Sequence, residues 1–161
     1  MTEAQLSNAM DAYGSTVYRL ALTRMQNIAD AEDVYQEVFL RLWKQAAEDW
    51  DGDRAKAWLI RTTLNRCADL HRFHLRRPVL SFAEIPDLAQ PEDESRELWE
   101  AVSRLPEKAR TAVHLYYAEG YSAEEISQLM HIPAATVRTR LHRARKQLKE
   151  LLGGIDDETC V

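Results

Sequence analysis

The chain has 161 residues, 45% hydrophobic and 29% charged, with 26 acids against 21 bases for a formal net charge of −5. That length admits one domain or two small ones with modest cores, and no apolar run approaches the roughly 20 residues that a membrane span needs. Two cysteines, Cys67 and Cys160, exclude a disulfide framework, and the polar start MTEAQLSNAMDAYG does not have the pattern of a signal peptide, so a reducing, cytoplasmic setting is expected.

Apolar residues recur at helical spacing nearly everywhere and no stretch alternates for long like a strand, which predicts an all-α fold. A first helix is predicted over residues 3–25, with Leu6, Met10, Tyr13, Val17 and Leu20 on one face. Asp30 reads as the N-cap of a second helix, since Asp33 lies three residues on and Val34, Val38, Phe39 and Leu42 follow. That helix should end ahead of Asp51-Gly52-Asp53, a turn signal. A third is predicted over 55–74, where Trp58, Leu59, Thr62, Cys67 and Leu70 lie among arginines.

The chain then changes character. Pro78, Pro86 and Pro91, with Asp87, Glu92 and Asp93, read as a linker. A short helix is predicted over 95–105, and Pro106 opens another at a position proline tolerates, carrying Ala109, Val113, Leu115 and Tyr116 and stopped by Gly120. Ser122 with Glu125 three residues later is a capping box for a short helix reaching Met130. His131-Ile132-Pro133 makes a turn, and a long helix runs to about Leu152, ended by Gly153-Gly154. The final DDETCV reads as a frayed tail. The expected organisation is two small helical domains, 1–77 and 95–153, joined by a short linker, 78–94, with a tail at 154–161.

Charge is spread unevenly. Residues 58–81 hold Arg61, Arg66, Arg72, Arg76 and Arg77 against Asp69 alone, and residues 131–149 hold Arg138, Arg140, Arg143, Arg145, Lys146 and Lys149 with no acid. Two basic islands in an acidic chain can bind a polyanion locally while the remainder repels it or meets a different partner. In the second island Val137, Leu141, Ala144 and Leu148 recur at spacings of four, three and four, an apolar stripe that leaves the bases on the other faces. Short helix, tight turn and longer basic helix is the pattern of a helix-turn-helix, whose second helix enters the major groove. Arginine suits the role because its planar fork can bind guanine or phosphate through two bonds at once.

On the second helix Asp33, Glu37, Leu40 and Lys44 share a face with Gln36 alongside, while Tyr35, Val38, Phe39 and Leu42 point into the core. Leu40 among exposed polar residues points to a protein–protein surface. Catalysis finds little support. Asp69, His71 and His74 are of metal-ligand type, but they lie among arginines that repel a cation, and a histidine pair at i, i+3 is a weak ligand set. There is no glycine-rich phosphate loop and no nucleophile elbow. No catalytic residue, metal site or cofactor is expected. The remaining rival is a helix-turn-helix regulator that binds duplex DNA alone, with the first 77 residues as an effector or dimer domain.

These segments carry a family resemblance. YSAEEISQLMHIPAATVRTRLHRARKQLKELL resembles region 4 of the bacterial extracytoplasmic-function (ECF, group 4) sigma factors of the sigma-70 family, and LPEKARTAVHLYYAEG its usual entry. DAEDVYQEVFLRLWKQ and KAWLIRTTLNRCADLHRFHLRR resemble region 2 of the same family. The resemblance implies a non-enzymatic factor that binds core RNA polymerase and directs it to promoters. It implies that Asp33, Gln36 and Glu37, with Leu40 beside them, dock on the β′ clamp helices, and that the second domain meets the β flap. Arg61, Asn65, Arg66 and Arg72 become candidates for contacts with the melted −10 strand, and the acidic loop 49–54, with Trp50, matches the place where a flipped-out base is captured. Trp58 reads as core. Arg138, Thr139, His142 and Arg143 match positions that read the −35 element, with Arg140 and Arg145 as phosphate or structural contacts. An anti-sigma factor that covers both DNA-binding surfaces is implied as regulator; a region 1.1 domain, a region 3 and membrane insertion are not expected.

Overall fold

The computed structural model describes residues 2–45, 52–76 and 93–153. The chain divides into two compact units between residues 84 and 85. Among the described residues every regular element is helical.

In the first unit, α1 (Glu3–Met25) opens with a reciprocal cap: the Thr2 hydroxyl accepts from the Gln5 N–H at 3.2 Å, and Gln5 Oε1 accepts from the Thr2 N–H at 2.9 Å. Gln26 ends it in the left-handed region at φ 52. Asn27 follows at once, and its Oδ1 accepts from the Asp30 N–H at 3.0 Å to open α2 (Ile28–Lys44). The N-cap is therefore Asn27 rather than the expected Asp30. Both residue types cap well, and the tight exit at Gln26 settles which comes first. Asp30 falls in the first turn, where its charge favours the helix dipole.

Helix α3 (Gly52–Arg76) begins at Gly52 instead of residue 55, so two residues of the anticipated Asp51-Gly52-Asp53 turn are helical. A tertiary bond ties this start to α1, since Tyr13 Oη donates to the Gly52 carbonyl at 3.0 Å. Each of the three helices packs on the other two. Val17, Leu20 and Ala21 of α1, Val34, Val38 and Leu42 of α2, and Leu59, Ile60 and Cys67 of α3 are fully or almost fully buried. Tyr35 lies over Gly14, where an added Cβ would stand 3.1 Å from the tyrosine oxygen, so glycine permits the α1–α2 approach. Thr63, wholly buried, donates to the Leu59 carbonyl at 2.7 Å, which removes the penalty of an unpaired hydroxyl in the core.

In the second unit α4 (Asp93–Ser103) ends in a tightened turn, with Arg104 and Leu105 N–H groups bonded to the Ala101 and Val102 carbonyls. Pro106 stands just outside α5 (Glu107–Val113) as its N-cap. That helix does not continue regularly to Gly120 as expected. It widens into a π turn over His114–Ala118, closed by the Glu119 N–H on the His114 carbonyl at 3.2 Å. Gly120 then adopts φ +75, a conformation glycine takes without strain. The predicted Ser122–Glu125 capping box is present at the head of α6 (Ala123–Met130), and His131 at φ 56 turns the chain into α7 (Ala134–Leu151). Val137, Leu141, Ala144 and Leu148 are all buried, as the stripe predicted. Helix α7 packs on α4, α5 and α6. Arg110 is 8% exposed, yet its Nη1 donates to the Leu105 carbonyl at 2.8 Å, a buried charge held by the preceding turn. The anticipated linker at 78–94 and tail at 154–161 lie almost entirely outside the described residues.

Candidate nucleic-acid interface

An α-helix turns about 100° per residue, and that rotation sorts the basic residues of α7. The buried stripe of Val137, Leu141, Ala144 and Leu148 occupies one narrow arc. Thr139, His142 and Arg143 fall towards the opposite arc, Arg138 lies at its edge, about 20° from Arg145, and all four are exposed. Arg140 and Arg145 lie on its two flanks and are half-buried. Three of the residues expected to face bases, Thr139, His142 and Arg143, are thus presented together, while Arg138 shares a flank with Arg145 and differs from it in being exposed.

Partners distinguish these cations further. Arg138 Nη2 pairs with the Glu124 carboxylate of α6, joining the bracing helix to the exposed one. The Glu124 carboxyl is held below the usual range, first by a hydrogen bond from its own backbone N–H and then by the Arg138 charge. Arg145 Nε donates to Tyr117 Oη at 2.7 Å, and its guanidinium sits 5.7 and 5.8 Å from the ring centres of Tyr116 and Tyr117. That position anchors the π turn against α7. The Thr139 hydroxyl donates to the Ala135 carbonyl at 3.0 Å, which leaves its oxygen able to accept.

In the first unit the outward side of α2 carries Asp33, Gln36, Glu37, Leu40 and Lys44. Leu40 is 47% exposed, and Trp43, one turn on, is 41% exposed. Large apolar groups left in water beside carboxylates are a feature that protein-binding surfaces share. Trp43 escaped the sequence reading although its position three residues after Leu40 put it beside that face. Glu37 Oε1 accepts from Arg41 Nε at 3.2 Å.

On α3 the same rotation separates Arg66 from its companions. Arg61, Asn65 and Arg72 fall within a narrow arc and are exposed. Arg66 is turned towards α2, where its Nη2 lies 3.5 Å from Asp33 Oδ2. Arg72 pairs with Asp69 one turn back. His74 Nε2 meets Asp30 Oδ2 at 3.0 Å, binding the end of α3 to the start of α2. Trp58 is half-buried, and Trp50 lies outside the described residues. Asp33, Arg66, Asp69, Leu70, Arg72 and Phe73 line an open groove of about 510 Å³. Among the described residues no group of three or more histidines, cysteines or acids is arranged to hold a metal ion, and no helix is long and apolar enough to cross a membrane.

Comparison with known proteins matches residues 9–77 to the family described as sigma-70 region 2, and residues 95–148 to sigma-70, region 4. The chain is 34% identical to the ECF RNA polymerase sigma factor SigE of Mycolicibacterium smegmatis, over 92% of this chain and 62% of that protein. It thus spans less than two thirds of the length of SigE. It is 32% identical to the ECF RNA polymerase sigma factor SigM of Bacillus subtilis, over 91% of this chain and 94% of that protein. A solved structure of the sigma factor RpoE with the anti-sigma factor NepR from Bartonella quintana shares the fold, with a TM-score of 0.76 at 24% identity over 92% of this chain and 96% of that chain.

Proposed function

This chain belongs to the ECF RNA polymerase sigma factors, and from that premise we propose that it binds core RNA polymerase and directs it to promoters with −10 and −35 elements. The observation that carries the reading is the conjunction of two sigma-70 regions in order along one chain with a helix-turn-helix whose second helix carries no acid from Ala134 to Lys149. The factor is of the group 4 type and acts in the cytoplasm. Initiation chemistry belongs to the polymerase.

Residues 1–77 form the unit that docks on the β′ clamp through Asp33, Gln36, Glu37 and Leu40. The same unit contacts the melted −10 strand through Trp50, Arg61, Asn65, Arg66 and Arg72. Residues 95–153 meet the β flap and read duplex at −35 through Arg138, Thr139, His142 and Arg143. Arg140 and Arg145 support that contact from the flanks, Arg140 at phosphate and Arg145 by holding Tyr117. Residues 78–94 tether the two, so that each modest contact raises the effective concentration of the other. The structurally similar RpoE was solved bound to the anti-sigma factor NepR, and an anti-sigma factor is the expected regulator here.

In vitro transcription with core polymerase and a promoter library, with and without this chain, tests the reading. Promoter-selective transcripts are expected only when the chain is added; their absence refutes it. A gel shift separates the rival regulator, which binds its site alone with steep salt dependence, whereas a sigma factor binds weakly until core polymerase is present.

A further inference from the structure

Helix α6 carries two acids in its first turn, and the fold uses them differently. Glu125 is committed to the capping box, where its Oε1 accepts from the Ser122 N–H at 3.0 Å. Glu124 takes no part in that box and reaches across to pair with Arg138 Nη2 of α7. Residues 131–149 contain no acid, so Glu124 brings a negative charge to an otherwise basic helix. Arg138 and Glu124 are 59% and 63% exposed, within reach of a bound duplex. Bracing alone does not require the pair. Ile126 and Leu129 of α6 and Val137 and Leu141 of α7 are buried where the two helices pack, and an ion pair this exposed adds little to such a contact.

We propose that Glu124 is a specificity-determining residue of the −35 contact: it withholds Arg138 from the phosphate backbone and leaves the free donors of that guanidinium to a base edge. The proposal rests on the sigma-factor reading, which supplies the −35 duplex. Paired with Glu124, Arg138 adds no net charge to the attraction that binds any sequence alike. A guanidinium has five N–H donors, and the bond to Glu124 uses one of them. The others are held in a fixed direction and can meet the O6 and N7 acceptors of a guanine. A side chain already held at its far end also loses less freedom on binding. On a wrong sequence Arg138 must leave Glu124 to reach a phosphate, and the carboxylate left behind repels that phosphate. Discrimination then comes from weakening the wrong complexes more than the right one.

The test measures binding of holoenzyme, this chain with core polymerase, to a promoter selected from the library and to the same promoter with a scrambled −35 element. Glu124→Gln should tighten binding to the scrambled promoter about two- to fivefold, the range an exposed ion pair can supply, and should tighten the cognate complex less. The cognate-to-scrambled ratio therefore falls. The salt slope on the scrambled promoter should steepen by about 0.9, one more phosphate contact. In an Arg138→Gln background, adding Glu124→Gln should lower the ratio no further, because any relief of repulsion then acts on both promoters alike. Glu97→Gln removes an exposed acid of α4, outside the helix-turn-helix, and should leave the ratio unchanged. A merely structural role for Glu124 would not move the ratio of a folded protein. Should Glu124→Gln lose the fold by circular dichroism, Glu124→Ala, which favours helix, gives the same reading. The proposal is overturned if the ratio does not fall, if it falls equally without Arg138, or if Glu97→Gln lowers it as much. Promoter-selective transcription by the wild-type chain is scored in parallel. Its failure removes the sigma reading and this proposal with it, while its success beside an unchanged ratio removes only the role of Glu124.

Discussion

Arg145 donates from Nε to Tyr117 Oη at 2.7 Å, bridging α7 and the π turn across 28 positions of sequence. The guanidinium also lies near the faces of Tyr116 and Tyr117, so the side chain contributes a bond, cation–π contact and stem packing together. Tyr117→Phe removes only the bond. It should destabilise the second unit by about 0.5 kcal/mol, the lower end for a net hydrogen bond, because Tyr117 is half exposed. Arg145→Ala should cost more, since all three contributions go. Urea unfolding of the two variants and the double variant measures the coupling; additive effects would mean that the two side chains act independently.

The Asn27 cap gives a second prediction. Asn27→Ala should cost about 1 kcal/mol through loss of the bond to the Asp30 N–H. Asp30→Asn leaves that cap intact and alters the contact with His74 and the charge in the first turn of α2. Thermal unfolding compares the two. An equal or larger loss from Asp30→Asn would restore Asp30 as the residue that organises the start of α2.

These two sites mark how far the sequence carries. The Ser122–Glu125 box and the buried stripe of α7 were legible because their geometry is local: a cap needs a spacing of three, and a helical face needs a period near 3.6. Leu40 was legible for the same reason. Asn27 was obscured because Asn and Asp are near-equal caps, and only the left-handed Gln26 decides between them. The start of α3 was misplaced because Asp-Gly-Asp is a turn by composition, and the bond from Tyr13 lies 39 positions away. The Asp33–Arg66 and Arg145–Tyr117 pairs carry no sequence signal, since helix packing alone sets which faces meet.

The α2 face supplies a third prediction. Asp33→Ala with Glu37→Ala should weaken capture of core polymerase while leaving the fold intact, because neither side chain is buried. Trp43→Ala should weaken it further, by about 2 kcal/mol if the ring is an anchor of the interface. Pull-down of core polymerase with each variant, alongside circular dichroism, checks both. Unchanged capture by the double variant would remove these carboxylates from the interface.

Glu124 makes the second unit sensitive to acid. Its carboxyl titrates below the ordinary 4.5 in the folded chain, so the contribution it makes is present above that value and is lost as pH falls through the folded one. Arg138 loses its carboxylate partner over the same interval. Thermal unfolding of the wild type should therefore fall more steeply below pH 4.5 than that of Glu124→Gln. Parallel curves would show that the pair contributes nothing to stability.

Arg143 is the sharpest test of the exposed arc of α7. It lies opposite the buried stripe and is exposed, unlike the half-buried Arg140 and Arg145. A guanidinium placed there can bond two acceptors of one guanine, and its truncation should cost on the order of 1–3 kcal/mol at the cognate −35 sequence. A phosphate contact behaves differently: its loss weakens all sequences alike and lowers the salt slope by about 1. Binding of Arg143→Ala holoenzyme to a cognate promoter and to one with a scrambled −35 element separates the two. A loss confined to the cognate promoter assigns Arg143 to base reading, and an equal loss on both assigns it to the backbone.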